Sequence, residues 1–278
     1  MTQLSFNDRL NMLISSKSSL LCLGLDPDME KIPAEVKYQK NPLKTFIEKI
    51  VAATRDIVVA YKANLAFYEC EGVNGIEALE HLRTIIPDDV LLILDGKRGD
   101  ISNSARMYAK AYFKEFGADA ITVNPYMGFD AVEPFLQDKT RGVFVLTLTS
   151  NSGSEDFQNL QVGKDALYQI VARKAEQWNT NNNIGLVVGA TDSEGMEIIR
   201  RTTPVLPFLV PGIGAQGGKL EEILAKGRDE NGTGMLVNVG RDILYASGKS
   251  DFAEKAREKA EYYNKEMNSI IRTSWKYI

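Results

Sequence analysis

The sequence predicts a parallel α/β fold closed into a single (β/α)8 TIM barrel. Eight short apolar runs recur along the chain, and longer stretches with helical spacing of their apolar residues separate them. The length of 278 residues sits a little above the ~250 typical of one such barrel. No Pro/Ser-rich linker divides the chain, so residues 1–278 read as one domain. A doubly wound open sheet is the architectural alternative on this pattern.

In chain order, a short helix at 7–14 precedes the first run, 20–25. A helix over 41–55 places Leu43, Phe46, Ile47, Ile50 and Val51 on one face and leads to the second run, 57–63. A helix at 76–86 and the run 90–94 follow, then helix 102–116, run 120–123, helix 130–136 and run 142–148. A polar stretch at 152–165 precedes helix 166–179 and run 184–188. Helix 193–201, run 207–210, helix 219–225, a second polar stretch at 227–234 and run 235–239 complete the alternation. One or two closing helices occupy 251–278. Several runs are continuously apolar and β-branched, as strands buried on both faces are. The two polar stretches read as long loops, of the kind that serve as lids or insertions.

The 33 basic and 37 acidic residues leave a net charge of −4. That balance argues against a nucleic-acid binder with a broad basic surface, while leaving room for a local anion pocket. Cys22 and Cys70 show no CxxC or Cys/His ligand spacing, so neither a disulfide nor a metal site is expected of them, and their use suits a reducing cytosol. Residues 1–17 lack a signal-peptide pattern, and no apolar run approaches the ~20 residues of a membrane helix. A cytoplasmic protein with no membrane partner is expected. His81 is the single histidine and falls in the helix at 76–86, so it reads as structural and a Ser-His-Asp mechanism has no support. Trp178 and Trp275 read as packing residues and Arg98 as a surface charge.

The segment Val90-Leu-Leu-Ile-Leu-Asp95-Gly96-Lys97-Arg98-Gly99-Asp100 concentrates the chemistry. Residues two apart in a strand face one way, so Asp95 and Lys97 project together from the strand's C-terminal end, where barrel active sites form. Standing alone, such a cluster is a solvated turn. Gly96 and Gly99, however, permit close backbone approach. Lys62, ending the preceding apolar strand, needs a counter-charge that Asp95 can supply. A phosphate subsite is expected from Pro211-Gly-Ile-Gly-Ala-Gln216-Gly-Gly218 and the following Gly240-Arg241, because barrels often bind phosphate with the loops after strands seven and eight. Gly240 N–H, Arg241 and Gln216 are its expected ligands. Gly212-x-Gly214-x-x-Gly217 formally matches a dinucleotide fingerprint, but it occurs late and no strand-end acid follows about 20 residues on.

The Asp95-x-Lys97-x-x-Asp100 motif, with Lys62 one strand earlier, resembles the orotidine 5′-phosphate decarboxylase family, in its longer bacterial branch. The likeness extends through Leu23-Gly-Leu-Asp26-Pro, Tyr61-Lys-Ala-Asn64, Asn124-Pro-Tyr-Met-Gly-Phe-Asp130, the Pro211 loop and Asn238-Val-Gly-Arg241. It implies decarboxylation to uridine 5′-phosphate without metal or cofactor. By that resemblance, Lys97 donates the proton to carbon 6, and Asp95 lies beside the leaving carboxylate. Lys62 pairs with Asp95 and contacts the ribose, and Asp26 accepts from a ribose hydroxyl. Ser150 meets the pyrimidine edge, Pro211 belongs to the substrate site, and Asn64 is a further polar contact. Asp100, Ile101 and Ser104 would reach across a homodimer interface, giving shared sites. Apart from the resemblance, Asp26 reads as a turn acid before Pro27 and Ser150 as a loop serine. The alternatives are a magnesium-dependent sugar-phosphate decarboxylase or aldolase on the same barrel, and a non-catalytic nucleotide-binding barrel.

Overall fold

A computed structural model describes residues 3–214 and 219–274. Eight parallel strands close into a barrel: β1 (Leu21–Gly24), β2 (Ala60–Asn64), β3 (Leu91–Arg98), β4 (Ala120–Val123), β5 (Gly142–Leu148), β6 (Ile184–Val188), β7 (Phe208–Pro211) and β8 (Met235–Val239). β8 pairs with β1, so no edge is left and the open-sheet alternative is removed. Each strand lies on one of the eight predicted runs. The largest departure is β3, which continues four residues beyond the apolar run's end at 94 and so carries Asp95 and Lys97 within the strand, at its C-terminal end.

The surrounding helices are α1 (Phe6–Lys17), α2 (Pro42–Thr54), α3 (Gly72–Ile85), α4 (Ser102–Lys110), α5 (Phe129–Leu136), α6 (Leu167–Trp178), α7 (Ser193–Thr202), α8 (Leu220–Gly227) and α9 (Phe252–Ser274). In α2 the predicted face, Leu43 to Val51, is buried. The predicted helix 102–116 changes to a π turn at Ala111–Glu115. Tyr108, Tyr112 and Phe116 stack along it at 6.0 Å spacings. The stretch at 152–165 is not a plain loop. It holds a 3-10 turn, Ser152–Asp156, and an antiparallel pair, Gln161–Val162 with Asp165–Ala166, which reverses at Gly163 in the left-handed region (φ 70°). The closing segment is one helix over its described residues; Trp275 lies outside them. Trp178 packs on the core with its ring 5.5 Å from Phe129. Among the described residues no helix is long and apolar enough to cross a membrane.

The N-terminal end of the barrel is braced independently of its mouth. Phe6, at the start of α1, is fully buried and meets Phe144 edge-on at 5.9 Å. Gly142 makes room for it, since a Cβ there would stand 2.4 Å from the Phe6 ring. Beside this plug the buried Asp119 receives Arg9 at 2.7 Å and Arg83 at 3.0 Å, with Arg141 at 3.8 Å. Arg200, buried over the Phe208 ring, donates to five backbone carbonyls: Thr203, Pro204, Leu206, Gly227 and Gly234. It thereby ties both ends of the predicted loop 227–234.

Phe6→Ala leaves a cavity in this floor and is expected to lower unfolding free energy by about 3–5 kcal/mol in a urea titration. A loss below about 1 kcal/mol would show that the ring does not plug the barrel.

Candidate active site

At the C-terminal ends of the strands lies a cavity of about 410 Å³. Its lining includes Asp26, Lys62, Asn64, Asp95, Lys97, Ser150, Pro211, Asn238, Gly240 and Arg241. A larger groove of about 730 Å³ between α4 and α5 lies outside the barrel, away from the C-terminal strand ends, with Arg106, Lys110, Glu133 and Arg141 among its lining.

The parallel register sets the centre. Lys62 pairs with Ile93, and Asn64 with Asp95, so Lys62 and Asp95 rise from adjacent strands two residues apart. Lys62 Nζ stands 3.0 Å from Asp95 Oδ2 and 3.9 Å from Asp26 Oδ1. Lys97 Nζ donates to Asp95 Oδ1 at 2.7 Å. Thr122 Oγ1 donates to the same oxygen at 2.8 Å. Asp26 Oδ1 accepts from the Asn64 backbone N–H at 3.0 Å, while the Asn64 side-chain oxygen Oδ1 accepts from the Ala66 N–H at 3.1 Å. The order of charges is Asp26, Lys62, Asp95, Lys97.

Burial is the largest influence on both inner members and opposes their charges, yet it is outweighed. Lys62 and then Lys97 hold the Asp95 carboxyl well below the usual carboxylate range. Asp26 and then Asp95 hold the Lys62 ammonium above its ordinary value. Lys62 and Asp95 are nearly enclosed, at 3% and 8% exposure, whereas the Lys97 side chain is 40% exposed and free to meet a ligand. Cys22 lies close enough to feel these charges, but burial pushes its thiol up to about 12, so it is no nucleophile at neutral pH.

The remaining predicted residues divide. Ser150 Oγ is buried at the cavity and has no hydrogen-bond partner among the described residues. A Cβ at Gly189 would lie 2.3 Å from it, so that glycine leaves the hydroxyl its space. Gly240 caps the one-turn helix Arg241–Leu244, bringing both to the cavity beside Pro211. Gln216 and Gly217 lie outside the described residues. Asp100, Ile101 and Ser104 are absent from the described cavity lining; the Asp100 carboxylate accepts from the Ile101 N–H at 2.7 Å, and Ile101 and Ser104 are exposed. Arg98 is more than a surface charge: its Nε donates to Tyr112 Oη at 2.6 Å, its guanidinium lies over Tyr108 and it pairs with Glu69. That clasp fastens the end of β3 to the helical segment behind it. Thr122 escaped the sequence reading because a Thr inside an apolar strand carries no local signal; Asn238, part of the Asn238-Val-Gly-Arg241 motif but given no site role there, lines the cavity from β8.

The family model described as "Orotidine 5′-phosphate decarboxylase / HUMPS family" matches residues 19–256. A Thermomicrobium roseum protein named orotidine 5′-phosphate decarboxylase is 46% identical over 260 residues, covering 92% of each chain. A Christiangramia forsetii protein of the same name is 46% identical over 95% of this chain and 98% of its own. Among solved structures, Leishmania donovani OMP decarboxylase superposes with a TM-score of 0.83 at 40% identity, covering 96% and 99% of the two chains. Leishmania donovani UMP synthase gives 0.87 at 41% identity; 97% of this chain matches 57% of that longer one.

The charge array has a pH signature. The depressed Asp95 contributes stability that is present above its unfolded value of about 3.9 and is lost as pH falls through the lower folded value. The raised Lys62 contributes stability that is present below about 10.4 and is lost as pH rises through the higher folded value. Lys62→Met is expected to cost about 3–5 kcal/mol at pH 7, by leaving Asp95 undercompensated. In that variant Asp95 takes up its proton at higher pH, so the deficit shrinks toward pH ~4. Urea unfolding at both pH values checks this; a deficit that grew on acidification would contradict it.

Proposed function

The chain belongs to the orotidine 5′-phosphate decarboxylase / HUMPS family, and from that membership we propose that it decarboxylates orotidine 5′-phosphate to uridine 5′-phosphate, the last step of de novo pyrimidine nucleotide synthesis. The observation that carries the reading is the interleaved array Asp26, Lys62, Asp95, Lys97 at the mouth of the barrel. The reaction breaks the bond between carbon 6 and its carboxylate. Carbon dioxide leaves, the electron pair stays on carbon 6, and a proton must replace the lost group. Stabilising that developing charge calls for a fixed cation and a proton donor, and Lys97 supplies both. Asp95 holds the Lys97 ammonium and faces the leaving carboxylate, and Lys62 balances Asp95 from the other side. Lys97 regains its proton from water.

Asp26 and Lys62 stand where a ribose hydroxyl can be bound, with Asn64 and Pro211 alongside. The orphaned Ser150 hydroxyl suits the pyrimidine edge. Gly240 and Arg241 form the phosphate end, for which the family resemblance adds Gln216 as a ligand, and its binding energy is available for work at the remote ring. Lys62 stands on β2 where the magnesium-dependent relatives carry an acid, and its ammonium already lies within 4 Å of the Asp26 and Asp95 carboxylates. This supports a metal- and cofactor-free reaction over the magnesium-dependent one. The protein acts in the cytoplasm as a homodimer. Exposed Ile101, Met107, Tyr126, Met127, Phe129 and Phe157 near this side of the barrel suit burial against a second copy. Asp100, Ile101 and Ser104 then enter the partner's site.

Ultraviolet absorbance should show turnover of orotidine 5′-phosphate by the metal-chelated protein, and Lys97→Ala should lower kcat by at least about 10³-fold with the fold intact. Turnover appearing solely after magnesium addition, or a near-normal Lys97→Ala variant, would overturn the assignment. Specific activity should also fall on dilution in step with dimer dissociation followed by light scattering; full activity in a demonstrated monomer would remove Asp100 from a shared site.

A further inference from the structure

The ladder between β3 and β4 is irregular at the catalytic motif. It runs Ile93 with Ala120 and Leu94 with Ile121, then resumes at Arg98 with Val123. Between the paired residues, β3 therefore carries Asp95, Gly96 and Lys97 where β4 carries Thr122 alone. A bulge of this kind leaves backbone groups without ladder partners and re-aims side chains. Gly96 occupies its middle, where a Cβ would lie 2.6 Å from Leu65 Cδ1. Lys97 follows with φ 44°, a left-handed conformation that is costly for a residue with a long side chain.

Thr122, fully buried, closes the irregularity. The Lys97 N–H donates to Thr122 Oγ1 at 2.9 Å, and Thr122 Oγ1 lies 2.8 Å from Asp95 Oδ1. An amide can only donate and an ionised carboxylate can only accept, so the single hydroxyl proton points at Asp95. The same Asp95 oxygen receives Lys97 Nζ at 2.7 Å. Both ends of Lys97, its amide and its ammonium, are thus fastened to one hydroxyl–carboxylate relay. Satisfying a buried N–H would need no such closure, because any acceptor would serve.

We propose that Thr122 is a positioning residue of the decarboxylation, whose hydroxyl clamps the left-handed Lys97 backbone and registers its ammonium against Asp95. The inference rests on the function proposed above. It adds a group that touches no substrate and acts through Lys97.

Two pairs of chains isolate the hydroxyl: wild type against Thr122→Val, which keeps the branched shape, and Thr122→Ser against Thr122→Ala, which lack the methyl alike. Misplacing a reacting group by about 1 Å can cost on the order of 100-fold. Loss of the hydroxyl should lower kcat by about 10- to 100-fold in each pair, with KM for orotidine 5′-phosphate changed less than about 3-fold and Thr122→Ser near wild type. The Lys97 amide should exchange its hydrogen at least about 10-fold faster in the chains without a hydroxyl. Equal kcat within either pair, or a loss in Thr122→Ser as large as in Thr122→Ala, would overturn the proposal. If Thr122→Val did not fold, the Ser/Ala pair would decide alone. If wild type failed to turn over, the proposed function would fall, and unchanged Lys97 amide exchange would then refute the clamp on its own account.

Discussion

The arrangement at the mouth of the barrel hinges on keeping one carboxylate, that of Asp95, ionised where water hardly reaches it. An enclosed acid ordinarily escapes by taking up a proton. Asp95 is prevented from doing so by Lys62 on one oxygen and by Lys97 and Thr122 on the other. Each of those groups is held in turn: Lys62 by the β2–β3 register and Asp26, Lys97 by its bonded amide. The array is mutually supporting, and its fixed charges are in place before a substrate arrives. That is the condition under which electrostatic stabilisation needs little reorganisation during reaction.

The barrel supplies that arrangement through ordinary strand geometry. Parallel neighbours carry Lys62 and Asp95 to one level, and closure brings β8, with Asn238 and the Gly240–Arg241 turn, around to face them. The ladder is irregular after Leu146 on β5 and, at the charge array itself, after Leu94 on β3. Regular pleating would also put residues 95 and 97 on one face. What the bulge adds is a Lys97 N–H that meets the Thr122 hydroxyl at 2.9 Å.

How much of this was legible in the sequence follows from the range of each interaction. Eight apolar runs marked eight strands because burial on both faces leaves a local signature. Asp95, Lys97 and Lys62 were legible because charge at the end of an apolar run is conspicuous. Thr122 was not: its importance lies in what stands opposite it, and a threonine inside Ala120-Ile-Thr-Val123 looks like any β-former. Arg98 was underestimated for the same reason, since Tyr112 and Glu69 lie 14 and 29 residues away. The hairpin within 152–165 escaped because its two-residue strands are too short to show alternation.

The opposite end of the barrel has its own consequence. Phe6 in its socket, Asp119 among three arginines, and Arg200 spanning the base of two strands hold the fold together without touching the cavity. Stability and chemistry are thereby housed in separate ends of one molecule. A lineage built in this way can vary the loops around the mouth while its foundation stays unaltered, which makes the mouth the part of the scaffold on which selection for a new substrate can act.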